Sequence, residues 1–304
     1  MKLLKFKPGK AVAVTLMAAA IIMTAVSCSE KDDPVPEPAD ETLDIVETAI
    51  SSNPDEFNAL VEAVIAADLV NTLKGDGPFT VFAPTDAAFA KLGIDLSMLS
   101  KEELTDILLY HVVAGSVKST DLSNGFVETA GGYSIEINID NGTMINTANV
   151  ITADVMATNG IIHVIDEVLL PPSEDIVEKA LSFNPEEFNT LVSAVVQADL
   201  VSTLKSEGPF TVFAPTDAAF AALGVDLASL SKEELTNILL YHVVEGIVFS
   251  SDLSEGSVPT ANGASIAVSL DSGVKINDSN VIIANVQTTN GVIHVIDKVL
   301  IPAQ

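Results

Sequence analysis

The sequence predicts an α+β fold written twice in tandem, and three observations carry that reading. Long segments of the first half recur in the second half without a gap. The early part of each copy spaces its apolar residues at helical intervals, and the later part alternates apolar with polar residues. Helices are therefore expected first, and an antiparallel sheet or sandwich after them.

The repeat is constant in register. Asp44-Ile45-Val46-Glu47 returns as Asp175-Ile176-Val177-Glu178, and Phe79–Phe89 (FTVFAPTDAAF) returns identically as Phe210–Phe220. Ser100–Thr105 returns as Ser231–Thr236, Leu108–Val113 as Leu239–Val244, and Thr158–Asp166 as Thr289–Asp297 with one Ile/Val exchange. Two long copies make a domain duplication and not a solenoid. The boundary falls near Pro171-Pro172-Ser173, and so few connecting residues make the domains abut.

Within the first copy, Leu43 to Ile50 reads as a short amphipathic helix. Asn53-Pro54-Asp55-Glu56 opens a second, with Pro in its first turn and acids near the positive helix end. Phe57, Leu60, Val61, Val64 and Ile65 give that helix an apolar stripe. Phe79 to Ala83 is a short β run ended by Pro84. Thr85 caps a helix running to Leu92, and Ser100 with Glu103 forms a capping box for a helix ending near Leu109. Tyr133, Ile135, Ile137 and Ile139 alternate with polar residues as a half-buried strand. Asp140-Asn141-Gly142 then suits a tight hairpin turn, and Val150–Ala153 and Ile161–Leu169 read as further strands.

Three blocks in each copy resemble the fasciclin-like (FAS1) domain family: FTVFAPTDAAF at 79–89 and 210–220, LLYHVV at 108–113 and 239–244, and TNGIIHVIDEVLLP at 158–171 with TNGVIHVIDKVLIP at 289–302. The resemblance implies a β-sandwich wedge flanked by helices, an extracellular role in adhesion or matrix contact, and no enzymatic activity. It also implies candidate adhesion residues. Asp154-Val155-Met156 precedes Asn159-Gly160 as the family's adhesion motif does, and Tyr110-His111 and Tyr241-His242 form its Tyr-His block. Thr152-Ala153 stand where the family usually carries Glu-Pro or Asn-Lys. The second copy has Asn285-Val286-Gln287 in place of the Asp-Val-Met, so the carboxylate is lost there.

The N-terminus has the layout of a secretory signal. Lys2, Lys5, Lys7 and Lys10 precede an apolar stretch from Ala11 to Val26, which is short for a bilayer span of about twenty residues. Ala25-Val26-Ser27-Cys28 resembles a bacterial lipobox, with cleavage before Cys28 and lipidation of its thiol. Several acyl chains on one residue anchor stably where one does not. Ser29–Pro38, with three prolines and clustered acids, forms no core and suits an extended tether. Its Ser-Glu-Lys-Asp-Asp start resembles the signal that Bacteroidetes lipoproteins carry for display on the outer face of the outer membrane. The expected organisation is a signal peptide over 1–27, a tether over 28–39, and domains over 40–171 and 172–304.

Charge and composition bound the function. The chain carries 42 acidic residues against 14 basic ones, for a net charge of −28, and every basic residue is Lys. Without the four leading lysines the charge becomes about −32. Nucleic acid is not an expected partner, because phosphate binding needs a basic face. Cys28 is the sole cysteine, so an intramolecular disulfide is excluded. The absence of Trp, with three Tyr, counts against a typical aromatic-lined carbohydrate cleft.

The candidate chemical groups read mainly as structural. His111, His242, His163 and His294 lie in apolar runs without metal-ligand spacing, and suit buried hydrogen-bonded roles. Asp86 and Asp217 sit at helix starts, where favourable interaction with the helix end explains them. Asp166 and Asp297 end strands and suit structural hydrogen bonds. Neither a Gly-x-Ser-x-Gly elbow nor a phosphate loop is present. The expectation is a non-catalytic surface adhesion or interaction protein, without metal or cofactor, touching the membrane through its lipid anchor and binding an unknown surface protein or glycan. The alternative is a ligand-binding accessory protein that captures a glycan or a small apolar molecule between its two domains.

Overall fold

A computed structural model describes residues 43–52, 56–94, 96–183, 187–224 and 229–303. The signal segment, Cys28, the tether and the Asn53-Pro54-Asp55 helix start lie outside the described residues. The described residues all fall within one compact unit, Ala39–Gln304.

The first copy begins with α1 (Ile45–Ser52), α2 (Asn58–Ala66) and α3 (Val70–Leu73), followed by β1 (Phe79–Pro84). Next come α4 (Asp86–Leu92), a 3-10 turn at Leu96–Met98 and α5 (Lys101–Tyr110). The β part comprises β2 (Val112–Ala114), β3 (Gly125–Glu128), β4 (Ser134–Asn138), β5 (Met144–Ile145), β6 (Ala148–Ala157) and β7 (Gly160–Ile165). The second copy repeats these as α6 (Ile176–Phe183), α7 (Asn189–Gln197), α8 (Val201–Leu204), β8 (Phe210–Pro215), α9 (Asp217–Leu223) and α10 (Lys232–Tyr241). It continues with β9 (Val243–Glu245), β10 (Gly256–Pro259), β11 (Ser265–Ser269), β12 (Lys275–Ile276), β13 (Ser279–Thr288) and β14 (Gly291–Ile296).

Both expected caps are formed. Thr85 Oγ1 accepts from the Ala88 amide at 3.1 Å, and Ser100 and Glu103 bond reciprocally as a capping box. The start of α2 differs from expectation. Its N-cap position is Phe57, which has no capping side chain, and Asp86 at the start of α4 fills the role from across the fold. The Asp86 carboxylate accepts from the Ala59 amide at 2.8 Å and from Asn58 Nδ2 at 3.1 Å. The stripe of α2 also shifts. Phe57, Leu60, Ala63, Val64 and Ala67 are buried, whereas Ile65 points outward at 61% exposure, because it lies off the 60–63/64–67 row.

Each copy holds a seven-stranded sheet, ordered β2-β1-β7-β6-β5-β4-β3 in the first. The sheet is mixed where an antiparallel one was expected: β1 and β7 run parallel, Phe79 opposite Gly160 through Pro84 opposite Ile165. Every residue of β7 is buried, as a continuous apolar run in a parallel pair covered on both faces requires. The strand stops at Ile165, short of Leu169, because Asp166 turns to accept from the Asn149 amide at 2.7 Å. The tight turn falls at Asn146-Thr147, between β5 and β6, with Asn146 at φ 52°. Asp140-Asn141-Gly142 lies, as expected, in a hairpin loop, the one joining antiparallel β4 and β5, which is wider than a tight turn.

Two cores follow from this geometry. Val81, Ala83, Ile162 and Val164 face the helices and pack with Ile45, Leu60, Val64, Leu104 and Leu108. Phe82 and Ile165, on the other face, pack with Ile135, Ile137 and Ile145 of β4 and β5, so the sheet closes on itself as a wedge. The second copy divides its core in the same way.

Candidate functional site

The Tyr-His block lies where α5 meets the sheet. His111 is the C-cap residue of α5 and is 2% exposed. Its Nδ1 donates to the Ile107 carbonyl at 2.7 Å, and its Nε2 accepts from the Leu169 amide at 2.9 Å. The ring thus ties the helix end to the segment leaving β7. Both contacts fit a neutral ring, and burial pushes its pKa down to about 4 against the opposing pull of Ile107. His242 repeats the arrangement with Ile238 and Leu300, both at 2.9 Å, and burial again lowers its pKa to about 4.

Tyr110 is equally buried. Its hydroxyl donates to the Ser134 carbonyl at 2.9 Å and accepts from Asn146 Nδ2 at 3.1 Å. Burial raises its pKa, and the Asn146 contact opposes the rise. Tyr241 makes the same bonds to Ser265 and Asn277. Neither Tyr-His pair presents a contact surface: each joins α5 or α10 to the sheet from within.

Asp154 sits on an irregularity of β6, where the register with β7 shifts, and adopts φ 60°. Asp and Asn enter this left-handed region more readily than most residues. Its carboxylate accepts from the Ser119 amide at 2.8 Å and from the Ser119 hydroxyl. The hydroxyl bond leads the causes that hold its pKa below the usual carboxylate value. Val155 packs partly into the helix-side core, and Met156 is exposed.

Asn285 stands at the matching bulge with φ 63°. Its Oδ1 accepts from the Ser250 amide at 2.8 Å, and its Nδ2 donates to the Ser250 hydroxyl at 2.8 Å. The loss of the carboxylate in the second copy therefore leaves the local hydrogen-bond geometry intact.

His163 lies behind the bulge, fully buried. Its Nε2 donates to the Val117 carbonyl at 2.9 Å, its Nδ1 faces the Asp154 amide at 3.3 Å, and its ring stacks on Phe82. His294 repeats this with Val248, Asn285 and Phe213, and burial lowers its pKa. Asp166 and Asp297 bind the Asn149 and Asn280 amides. Among the described residues, no group of three or more His, Cys, Asp or Glu side chains is placed to hold a metal ion. Among the same residues, no helix is long and apolar enough to cross a membrane.

Sequence reasoning passed over Asn159. This buried amide accepts from the Ile45 amide at 2.9 Å and donates to the carbonyls of Leu73 and Gly75 at 2.8 and 2.9 Å. It pins the start of α1 and the end of α3 to the turn before β7. Gly160 follows because the chains approach closely there: a Cβ would stand 2.1 Å from the Phe79 carbonyl oxygen. The signal was available as the repeated Asn-Gly of both copies, Asn159-Gly160 and Asn290-Gly291.

The chain is similar to several known proteins. The chain is 43% identical to Protein sll1483 of Synechocystis sp. over 159 residues, covering 50% of this chain and 87% of that protein. It is 31% identical to Transforming growth factor-beta-induced protein ig-h3 of Sus scrofa over 244 residues, covering 76% of this chain but only 35% of that longer protein. Periostin of Homo sapiens is 29% identical over 251 residues, covering 80% of this chain and 29% of Periostin. A solved FAS1 domain pair from the insect cell adhesion molecule Fasciclin I covers 82% of this chain and 98% of its own, with 22% identity and a TM-score of 0.38. The family model described as Fasciclin domain matches twice, over residues 55–171 and 186–302. With most of its length matched, this chain belongs to the fasciclin domain family.

Proposed function

We propose that this chain is a non-catalytic adhesion or interaction protein of the bacterial cell surface, held by lipid on Cys28 and displayed on the outer face of an outer membrane of Bacteroidetes type. Membership of the fasciclin family supports the interaction role. The observation that carries the non-catalytic reading is the commitment of all four histidines to internal hydrogen bonds, each ring bridging separate elements. Tyr110, Tyr241 and Asp154 are committed in the same way. The repeated polar residues thus build the scaffold, and recognition falls to the surface around Met156 and the exposed face of β6.

In this reading the Tyr-His pairs act on adhesion indirectly, by fixing the helices that frame the sheet. The partner is a surface protein or glycan, met at the end of a short tether. A strain lacking the gene should attach or aggregate less than its parent, and wild-type attachment on every surface tried would contradict the proposal. The anchor has its own test. Cys28→Ala should abolish acylation and release the protein from the membrane fraction, and continued acylation would refute the lipidation site.

A further inference from the structure

The helix-side core of the first copy holds an apolar cavity of about 220 Å³, open at one end, between α1, α2, α3 and the sheet. Protein interiors rarely keep voids much larger than a water molecule. This one is walled by Ile45, Leu60, Val64, Leu108 and Ile162, all members of the same buried cluster. The imidazole on its wall, His111, has both ring nitrogens engaged by Ile107 and Leu169, so it offers nothing to a polar guest. Ile50 and Ile65, both exposed, carry the lining out to solvent. Lys74 and Glu47 flank that mouth, paired with each other at 2.6 Å.

The second copy supplies an internal comparison. Its matching cavity, walled by Ile176, Leu191, Val195 and Ile293, measures about 40 Å³. Of the positions that line the larger cavity, two differ in identity between the copies: Ile50 against Leu181, and Ile65 against Val196. Neither Leu181 nor Val196 lines the smaller cavity. The enlargement therefore coincides with the two substitutions at the mouth.

We infer that the first domain binds one small uncharged hydrocarbon group, the size of a benzene ring with short alkyl substituents, beneath α1 and α2, and that the second domain does not. An apolar cavity of about 150 Å³ lined by Leu, Ile and Phe stays dry and takes up benzene, so a larger one of like chemistry has room for such a guest. The absence of a free hydrogen-bonding side chain on the wall selects against sugars and amino acids, whose polar groups would be buried unpaired. This site lies within one domain and is independent of the surface proposed for adhesion.

The test is a benzene titration of the full chain carrying ¹³C-labelled Ile, Leu and Val methyls. Saturable shifts are expected at Ile45, Leu60 and Ile162 and not at Ile176, Leu191 and Ile293, with one benzene bound per chain. Ala49→Leu, which fills the cavity from α1, should weaken binding at least tenfold while the chain stays folded by its own methyl spectrum. If that variant does not fold, Val61→Phe at the mouth should weaken binding likewise. The proposal is overturned if the first-copy methyls show no saturable shift, if both copies respond equally, or if a folded filled variant binds as tightly as the parent.

Discussion

Phe126 of β3 and Phe249 of the second copy stack with ring centroids 3.9 Å apart and planes 3° apart, joining the two domains. The contact is specific to this pair. The position matching Phe249 in the first copy is Lys118, and the position matching Phe126 in the second is Ser257, both exposed. The copies thus diverge where they touch. A double-mutant cycle with Phe126→Ala and Phe249→Ala, followed by denaturant unfolding, should give a coupling of about 0.5–1.5 kcal/mol. Independent effects of the two substitutions would show that the stack does not couple the domains.

Acid should weaken the fold in a window set by His111 and His242. Their folded pKa of about 4 lies below the ordinary histidine value, so the native state resists protonation that the unfolded chain accepts. Stability is full above about pH 6.5 and falls as the pH drops toward 4, by up to about 3 kcal/mol per site. Asp154, whose pKa is lowered, loses its contribution at lower pH still. Unfolding free energies measured between pH 7 and 4 should decline accordingly. A flat profile across that interval would contradict neutral, buried imidazoles.

The residue at the bulge of β6 is held by hydrogen bonds that Asn can also make. Asp154→Asn should change stability by less than about 0.5 kcal/mol, because Asn285 already meets the same demands in the second copy. Asp154→Ala should cost about 1–3 kcal/mol, since it removes the bonds to Ser119 and leaves a less tolerant residue at φ 60°. Equal costs for the two variants, by urea midpoint, would refute this assignment.

Close backbone approach makes Gly160 a stringent position. In Gly160→Ala the new methyl would meet the Phe79 carbonyl and force β1 and β7 apart. A loss of about 3 kcal/mol or more is expected, and the same in Gly291→Ala. Wild-type melting of either variant would show that the parallel pair is looser than described.

Local chemistry was the legible part of this sequence. The cap by Thr85 and the box of Ser100 with Glu103 depend on residues three apart, and the apolar runs of β1 and β7 bear their own signal. What stayed hidden was long-range pairing. Asp86 serves the start of α2, and Asn159 serves α1 and the turn before β1, across separations that no local pattern encodes. The parallel pairing of β1 with β7 is hidden for the same reason. The Asp140-Asn141-Gly142 signal marked a real hairpin, the loop between β4 and β5, while the tighter turn fell at Asn146 in the left-handed region. At the candidate site the residues could be named from the resemblance. The burial of the histidines was legible from their apolar runs, whereas that of Tyr110 was not, since it points inward only because α5 ends against the sheet.

In the proposed role the folded pair binds a cell-surface partner through its exterior, with the repeated polar residues acting as scaffold. The most direct measurement is the binding of fluorescently labelled protein, covering residues 40–304, to intact cells, for the parent, Asp154→Asn and Met156→Glu. Saturable binding is expected of the parent, unchanged binding of Asp154→Asn, and at least tenfold weaker binding of Met156→Glu, with all three equally folded. Absence of saturable binding, or loss in Asp154→Asn with Met156→Glu unaffected, would contradict it.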